Sequence, residues 1–185
     1  MFEIACKKLE ELSDEYEVAV LVRDNELIDI AKKYNVDIIN RSVDSCDVDG
    51  PWSLMFRDVG FMKSEYLMFL NPSVIFLTTD TIRNSLEEFQ EFAVSSATSV
   101  KPFKNWLYSS MGDMIVEPDM SNLSIIEGLL QPANCFHICK KTDLLKKDIM
   151  LQESHLLIDV PVEETIDVDT PQDYEFAKWK YENSH

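Results

Sequence analysis

Two acidic side chains, Asp167 and Asp169, are the residues of this chain best suited to chemistry. In Ile166-Asp167-Val168-Asp169 apolar and acidic residues alternate, so on an extended backbone both carboxylates project to one side. Two carboxylates at a strand end can hold a divalent cation through oxygen, the ligand atom Mg²⁺ prefers. Thr170 can cap a helix, Pro171 suits its first position, and Asp173 stands where a capping partner belongs. The simpler account is that acids gather here because a helix N-terminus favours negative charge. Spacing alone favours that simpler account.

The elements that must position these residues follow from composition and pattern. A chain of 185 residues with 45% hydrophobic content fits one domain, 1–185, with a real core. Its formal net charge of −17 argues against nucleic-acid and anionic-membrane partners, which need basic patches. Four cysteines without close C-x-x-C pairs read as free thiols of a reducing cytoplasm. No apolar run reaches the ~18 residues of a membrane span, and no signal-peptide pattern opens the chain. The expectation is a soluble, cytoplasmic protein.

Phe2 to Leu12 has helical periodicity, and Glu17 to Val22 is a continuous apolar run like a parallel strand covered on both faces. Glu26 to Tyr34, capped by Asp24 or Asn25, reads as a helix, and residues 36–39 as a second strand. A polar loop follows to Gly50, and Pro51 can start a helix running to Lys63. Tyr66 to Leu70 is the most apolar strand, ended by Asn71-Pro72-Ser73. A helix from about Asp80 to Phe92 and a strand from Ala97 to Lys104 come next, leading into a hairpin-rich stretch through Trp106 and Met114 to Val116. Cys135 to Cys139 reads as a strand, Thr142 as the cap of a short helix, and Leu156 to Val160 as the last strand. Helices alternating with strands predict an α/β fold, a mostly parallel central sheet flanked by helices.

At this point a resemblance emerges. Ile166-Asp167-Val168-Asp169-Thr170-Pro171-Gln172-Asp173-Tyr174 closely resembles the I-D-I-D-T-x-x-D-hydrophobic signature ending the CMP-sugar synthetases, the N-acylneuraminate-type cytidylyltransferases. The resemblance implies a nucleotide-diphospho-sugar transferase fold, with Asp167 and Asp169 helping to bind the Mg²⁺ that carries the CTP phosphates. Asp24 to Val36 is similar to the family's S-T-D-D-x-E-I-A-x-x-A-x-K-Y-G-A. Leu70-Asn71-Pro72-Ser73 resembles its L-Q-P-T, which begins the loop facing nucleotide and sugar. Asn71, Pro72 and Ser73 are therefore the substrate-binding candidates. The order of elements agrees from about Phe2 to Trp179.

The departures bear on activity. The family opens with a strand and a basic, glycine-containing loop, R-x-G-S-K-x-x-x-x-K-N, that wraps the CTP phosphates; this sequence starts at the helix after it. Cradling phosphate needs glycines that let N–H groups converge, and lysine or arginine for charge. The four glycines, at 50, 60, 112 and 128, lie in no such context, and no arginine follows Asn71-Pro72-Ser73. A first strand is thus missing relative to the family, where it lies between the strands read here as 17–22 and 66–70. Those two are expected to close up and pair in parallel, in the local order 36–39, 17–22, 66–70, since buried backbone groups need partners.

Other constellations are weaker. Cys135, His137 and Cys139 alternate on one strand face and could hold zinc, but no fourth ligand is evident, so buried cysteines beside a hydrogen-bonded histidine is the better reading. No G-x-S-x-G elbow points to a hydrolase. Aromatics lie on two sides of the closing helix, at Tyr174 and Tyr181 and at Phe176 and Trp179. Core packing is the common reason for this, and a second copy in a homo-oligomer is the alternative. The reading that results is a cytidylyltransferase-like protein, catalytically degenerate, retaining weak nucleotide, sugar or metal binding. One alternative is an active nucleotidyltransferase making a CMP-sugar, its phosphate contacts supplied by Lys101, Lys104, Arg23 or another subunit. The other is an interaction or regulatory domain with no small-molecule site.

Overall fold

Apolar runs become strands and periodic runs become helices along most of the chain. The structure, a computed structural model, describes residues 1–46, 50–103, 107–115 and 129–183. Helix α1 spans Phe2–Leu12, with Cys6 and Leu12 buried. Strand β1 (Ala19–Val22), helix α2 (Asn25–Ala31) and strand β2 (Asp37–Asn40) follow. The helix expected from Pro51 to Lys63 is split into α3 (Trp52–Met55) and a 3-10 turn, Arg57–Phe61. The break is at Phe56, whose backbone leaves helical geometry as its ring packs edge-on against Phe69 at 5.1 Å. Strand β3 is Tyr66–Leu70 and helix α4 is Thr79–Glu91, capped by Thr78 accepting from the Thr81 N–H.

Strands β4 (Ser96–Pro102) and β5 (Leu130–Lys140), helix α5 (Lys141–Lys147), strand β6 (Leu156–Asp159) and helix α6 (Pro171–Asn183) complete the order. Thr142 does not cap α5. β5 runs straight into that helix, whose N-cap is Lys140 without a side-chain bond, leaving Thr142 inside the first turn. In the stretch between β4 and β5, Tyr108 and Met114 form an isolated antiparallel bridge. Lys104, Trp106 and Val116 lie outside the described residues.

The strands form two sheets among the described residues, β1-β2 and β3-β5-β4-β6. β1 pairs β2 in parallel, and β4 pairs β6 in parallel. β5 is antiparallel to both β3 and β4, so β3, β4 and β6 run the same way. One large cluster, with Ile82, Phe89, Phe136, Ile138 and Ile158, lies between this sheet, α4 and the end of α1. A second, with Phe56, Val59, Cys139 and Leu144, lies under α3 and α5. The β1-β2 sheet has its own cluster of Cys6, Val20, Val22 and Ala31 beneath α1 and α2.

The expected pairing of 17–22 with 66–70 is not formed: β1 and β3 share no ladder. Side chains occupy the junction instead. Leu21 packs in the cluster that holds Leu67, and Val18 in the one that holds Met68 and Leu70. At one end Glu17 reaches across, its carboxylate accepting the Lys63 and Ser64 N–H groups at 3.0 Å and the Ser64 hydroxyl at 2.6 Å. β3 is consequently an edge strand, with Tyr66 37% and Phe69 38% exposed.

Candidate functional site

Because β3, β4 and β6 run in one direction, their carboxyl ends share one edge, the usual place for ligands in open α/β sheets. Asn71 follows β3 directly and stays tied to the sheet by its N–H to the Cys135 carbonyl, 2.9 Å. Its side-chain oxygen accepts the Ser73 N–H at 3.0 Å, the local turn that Asn-Pro-Ser encodes. Its amide nitrogen donates to both carboxylate oxygens of Asp167, at 3.4 and 3.3 Å. The structure thus brings Asn71 and Asp167 together across 96 positions of sequence. Pro72 is exposed and Ser73 half-buried on the same turn.

Ile166 to Asp169 is not a strand. β6 ends at Asp159, a 3-10 turn at Val162–Glu164 redirects the chain, and no sheet edge is offered to these residues. Their alternation still sorts environments: Val168 is buried, Asp167 half-buried and Asp169 exposed. Burial, and then the neighbouring Asp169 charge, push the Asp167 carboxyl above the usual carboxylate range, opposed by the Asn71 hydrogen bond. The expected cap forms in full. The Asp173 carboxylate accepts the Thr170 N–H at 2.8 Å and its hydroxyl at 2.7 Å, while Thr170 Oγ1 accepts the Asp173 N–H at 3.2 Å. These bonds hold Asp173 below the usual carboxylate range.

Two lysines lie close by. Lys101 Nζ donates to Thr165 Oγ1 at 3.2 Å, which in turn donates to the Val162 carbonyl at 2.9 Å. Lys8, from α1, donates to the Ile75 carbonyl at 2.7 Å and the Val74 carbonyl at 3.4 Å, holding the segment beyond Ser73. Burial lowers its ammonium to about 8, with Glu164 the chief opposing charge. Sequence reasoning had not assigned Lys8 a role, although its place among Ile4, Leu9 and Leu12 on the apolar stripe of α1 marks it as an inward-facing lysine. Arg23 is elsewhere. It lines a cavity of about 480 Å³ at the ends of β1 and β2 with Asp24, Asn40 and Arg41, and donates to the Arg41 carbonyl at 3.3 Å.

Two carboxylates and a side-chain amide suit Mg²⁺ only if phosphate oxygens and water complete its shell. Among the described residues no group of three or more His, Cys, Asp or Glu is placed to hold a metal ion. The zinc alternative finds no such group either. Cys135 and Cys139 are buried free thiols pushed up to about 11 by burial, and His137 Nδ1 is paired with Thr98 Oγ1 at 2.9 Å. Burial depresses the His137 imidazole, with His155 as a lesser cause. Among the described residues no helix is long and apolar enough to cross a membrane.

No protein-family model matches the chain, and no curated protein matches it in sequence. Solved structures do resemble it. A 4-diphosphocytidyl-2C-methyl-D-erythritol synthase from Anaerococcus prevotii superposes with a TM-score of 0.71 at 11% identity, over 98% of this chain and 86% of that one. A CMP:2-keto-3-deoxy-manno-octonic acid synthetase complexed with CTP gives 0.71 at 12% identity, over 100% of this chain and 88% of its own. At such identities the likeness speaks for fold alone. A mixed sheet flanked by helices is the fold this chain shares with these two structures.

Proposed function

We propose that this chain is a catalytically degenerate cytidylyltransferase-like protein that retains weak binding of a nucleotide or nucleotide sugar at the Asn71–Asp167 edge. The observation that carries this is the engagement of the nearby cations. Lys8 donates to two backbone carbonyls and Lys101 to a threonine hydroxyl. A triphosphate entering a chain of net charge −17 needs cations that are free to turn toward it. Mg²⁺ would be held by Asp167 and Asp169 and would supply charge neutralisation for phosphate. The chain's own contribution is to fix Asp167 through Asn71, and Asp169 through the cap that follows it.

The test is turnover. Purified protein with CTP, Mg²⁺ and a panel of 2-keto acid sugars is expected to release no pyrophosphate above background. A rate on the order of 1 s⁻¹ or more refutes degeneracy. The active-enzyme reading has one observation in its favour, the position of Lys101 at the same edge. Breaking its bond to Thr165 would free one positive charge for phosphate.

A further inference from the structure

Strands β1 and β2 are parallel and in register, Val22 opposite Asn40, so their carboxyl ends stop at the same level. Arg23 and Arg41 are the residues that follow them. The Arg41 N–H donates to the Val22 carbonyl at 2.9 Å, and the Arg23 guanidinium folds over to donate to the Arg41 carbonyl at 3.3 Å. Beside them opens the cavity of about 480 Å³, its wall completed by Asp24, Asn25, Ile28 and Asn40. Open α/β sheets take ligands outside the carboxyl ends of their strands, and this cavity has that position. It belongs to the β1-β2 sheet, whereas Asn71 and Asp167 meet at the edge of the four-stranded one.

The cations at this cavity lack the partners that the chain supplies elsewhere. Acidic residues outnumber basic ones by 34 to 17, so carboxylates are in excess. Arg57 pairs with Asp58, and Arg83 with Glu15 and Asp80. Arg23 and Arg41 have no ion pair among the described residues, although Asp24 lines the same cavity. Arg41 is half-buried, and its guanidinium makes one long bond, from Nη2 to the Met55 carbonyl at 3.4 Å. Its Nε is buried without an acceptor, the one such side-chain atom among the described residues. A buried donor left without a protein partner calls for an ion or a water to complete it. We propose that this cavity is an oxyanion site, in which a phosphate group lies between the Arg23 and Arg41 guanidiniums with the Asn25 and Asn40 amides beside it. Two guanidinium charges against the single Asp24 carboxylate leave its wall net positive in a chain of net charge −17. One guanidinium fork serves a planar carboxylate; donors brought from two strand ends and from α2 suit a tetrahedral group.

The side-chain Nε–H resonances of the full chain, labelled with ¹⁵N-arginine, test this directly. Inorganic phosphate titrated at constant ionic strength should shift the Arg23 and Arg41 signals with a Kd of about 1 mM and leave Arg83 in place. Arg23→Gln, at an exposed position where folding is not at stake, should weaken binding about tenfold. Arg23→Lys keeps the charge but loses the fork, and should weaken it about threefold. Lys101→Gln, at the other sheet, should leave the Kd unchanged. Phenyl phosphate is the second probe, and either order of affinity supports the site: tighter phenyl phosphate marks an organic ligand, tighter inorganic phosphate the free ion. Four results overturn the proposal. They are no shift at a phosphate concentration about twenty times that Kd, an equal shift at Arg83, an equal response to acetate, and a Kd that Lys101→Gln weakens while Arg23→Gln does not.

Discussion

Ser99 is where β4 and β5 fall out of step, and its replacement by alanine should be among the costliest single-atom deletions in the chain. Thr98 pairs with His137 and Val100 with Pro132, so Ala133 to Phe136 face Ser99 alone across the bulge. Asn134 takes a left-handed backbone, φ 56°, to fit the extra residues. Ser99 is 0% exposed. Its Oγ accepts the Cys135 N–H at 3.0 Å and the Phe136 N–H at 3.1 Å and donates to the Phe136 carbonyl at 3.2 Å. Ser99→Ala orphans two buried N–H groups at ~1–3 kcal/mol each, and the carbonyl loses one of its two acceptor sites. The expected loss is ~2–6 kcal/mol, which at ~2–4 °C per kcal/mol for a chain of this size lowers Tm by ~4–24 °C. Urea unfolding followed by tryptophan fluorescence measures it, with m unchanged and the midpoint lowered. A loss below ~0.5 kcal/mol refutes the reasoning, since the bulge would then satisfy its N–H groups without Ser99.

Lys8, lowered by burial to about 8 from 10.5, makes the unfolded state bind more protons between those values, so its contribution to stability rises with pH across that window. The difference between the stability–pH curves of the native chain and Lys8→Met should show that rise, which the oppositely acting Cys135 and Cys139 would mask in either curve alone; parallel curves would sink the assignment. Among the four free thiols Cys46 is the least buried, so a disulfide reagent should label it first, with Cys6, Cys135 and Cys139 reacting at the rate of unfolding. Calorimetry with Mg²⁺ alone should give a Kd weaker than about 1 mM, and weaker still in Asp169→Asn. Tight, nucleotide-independent binding lost in that variant would show a surviving metal site.

What could be read from sequence was local. The Thr170-Pro171-Asp173 cap needs only a few adjacent residues, and the structure forms each of its bonds. α1 and β3 keep the bounds that their periodicity gave, because each is a self-contained run between polar ends. Asn71 was legible as a turn residue but its bond to Asp167 was not, since nothing in either stretch names the other. The same holds for Ser99, whose importance arises from a register mismatch between strands far apart in sequence. Alternation at Ile166 to Asp169 was misread as a strand because it reports which side is wet, and a ladder needs a neighbour as well. For the same reason the apolar run at Glu17 to Val22 suggested two covered faces while saying nothing of whether both edges were paired.

The unpaired junction bears on how the charged side chains of the first segment are used. With no ladder joining the β1-β2 sheet to the rest, contacts from the first segment must do it. Lys8 ties α1 to the Val74 and Ile75 carbonyls, and Arg83 ties α4 to Glu15 at 2.9 Å and to the Glu11 carbonyl at 3.1 Å. Glu17 ties the start of β1 to the segment before β3. These charged side chains are thereby committed to holding the β1-β2 sheet against the rest of the chain, a task a backbone ladder would do without them.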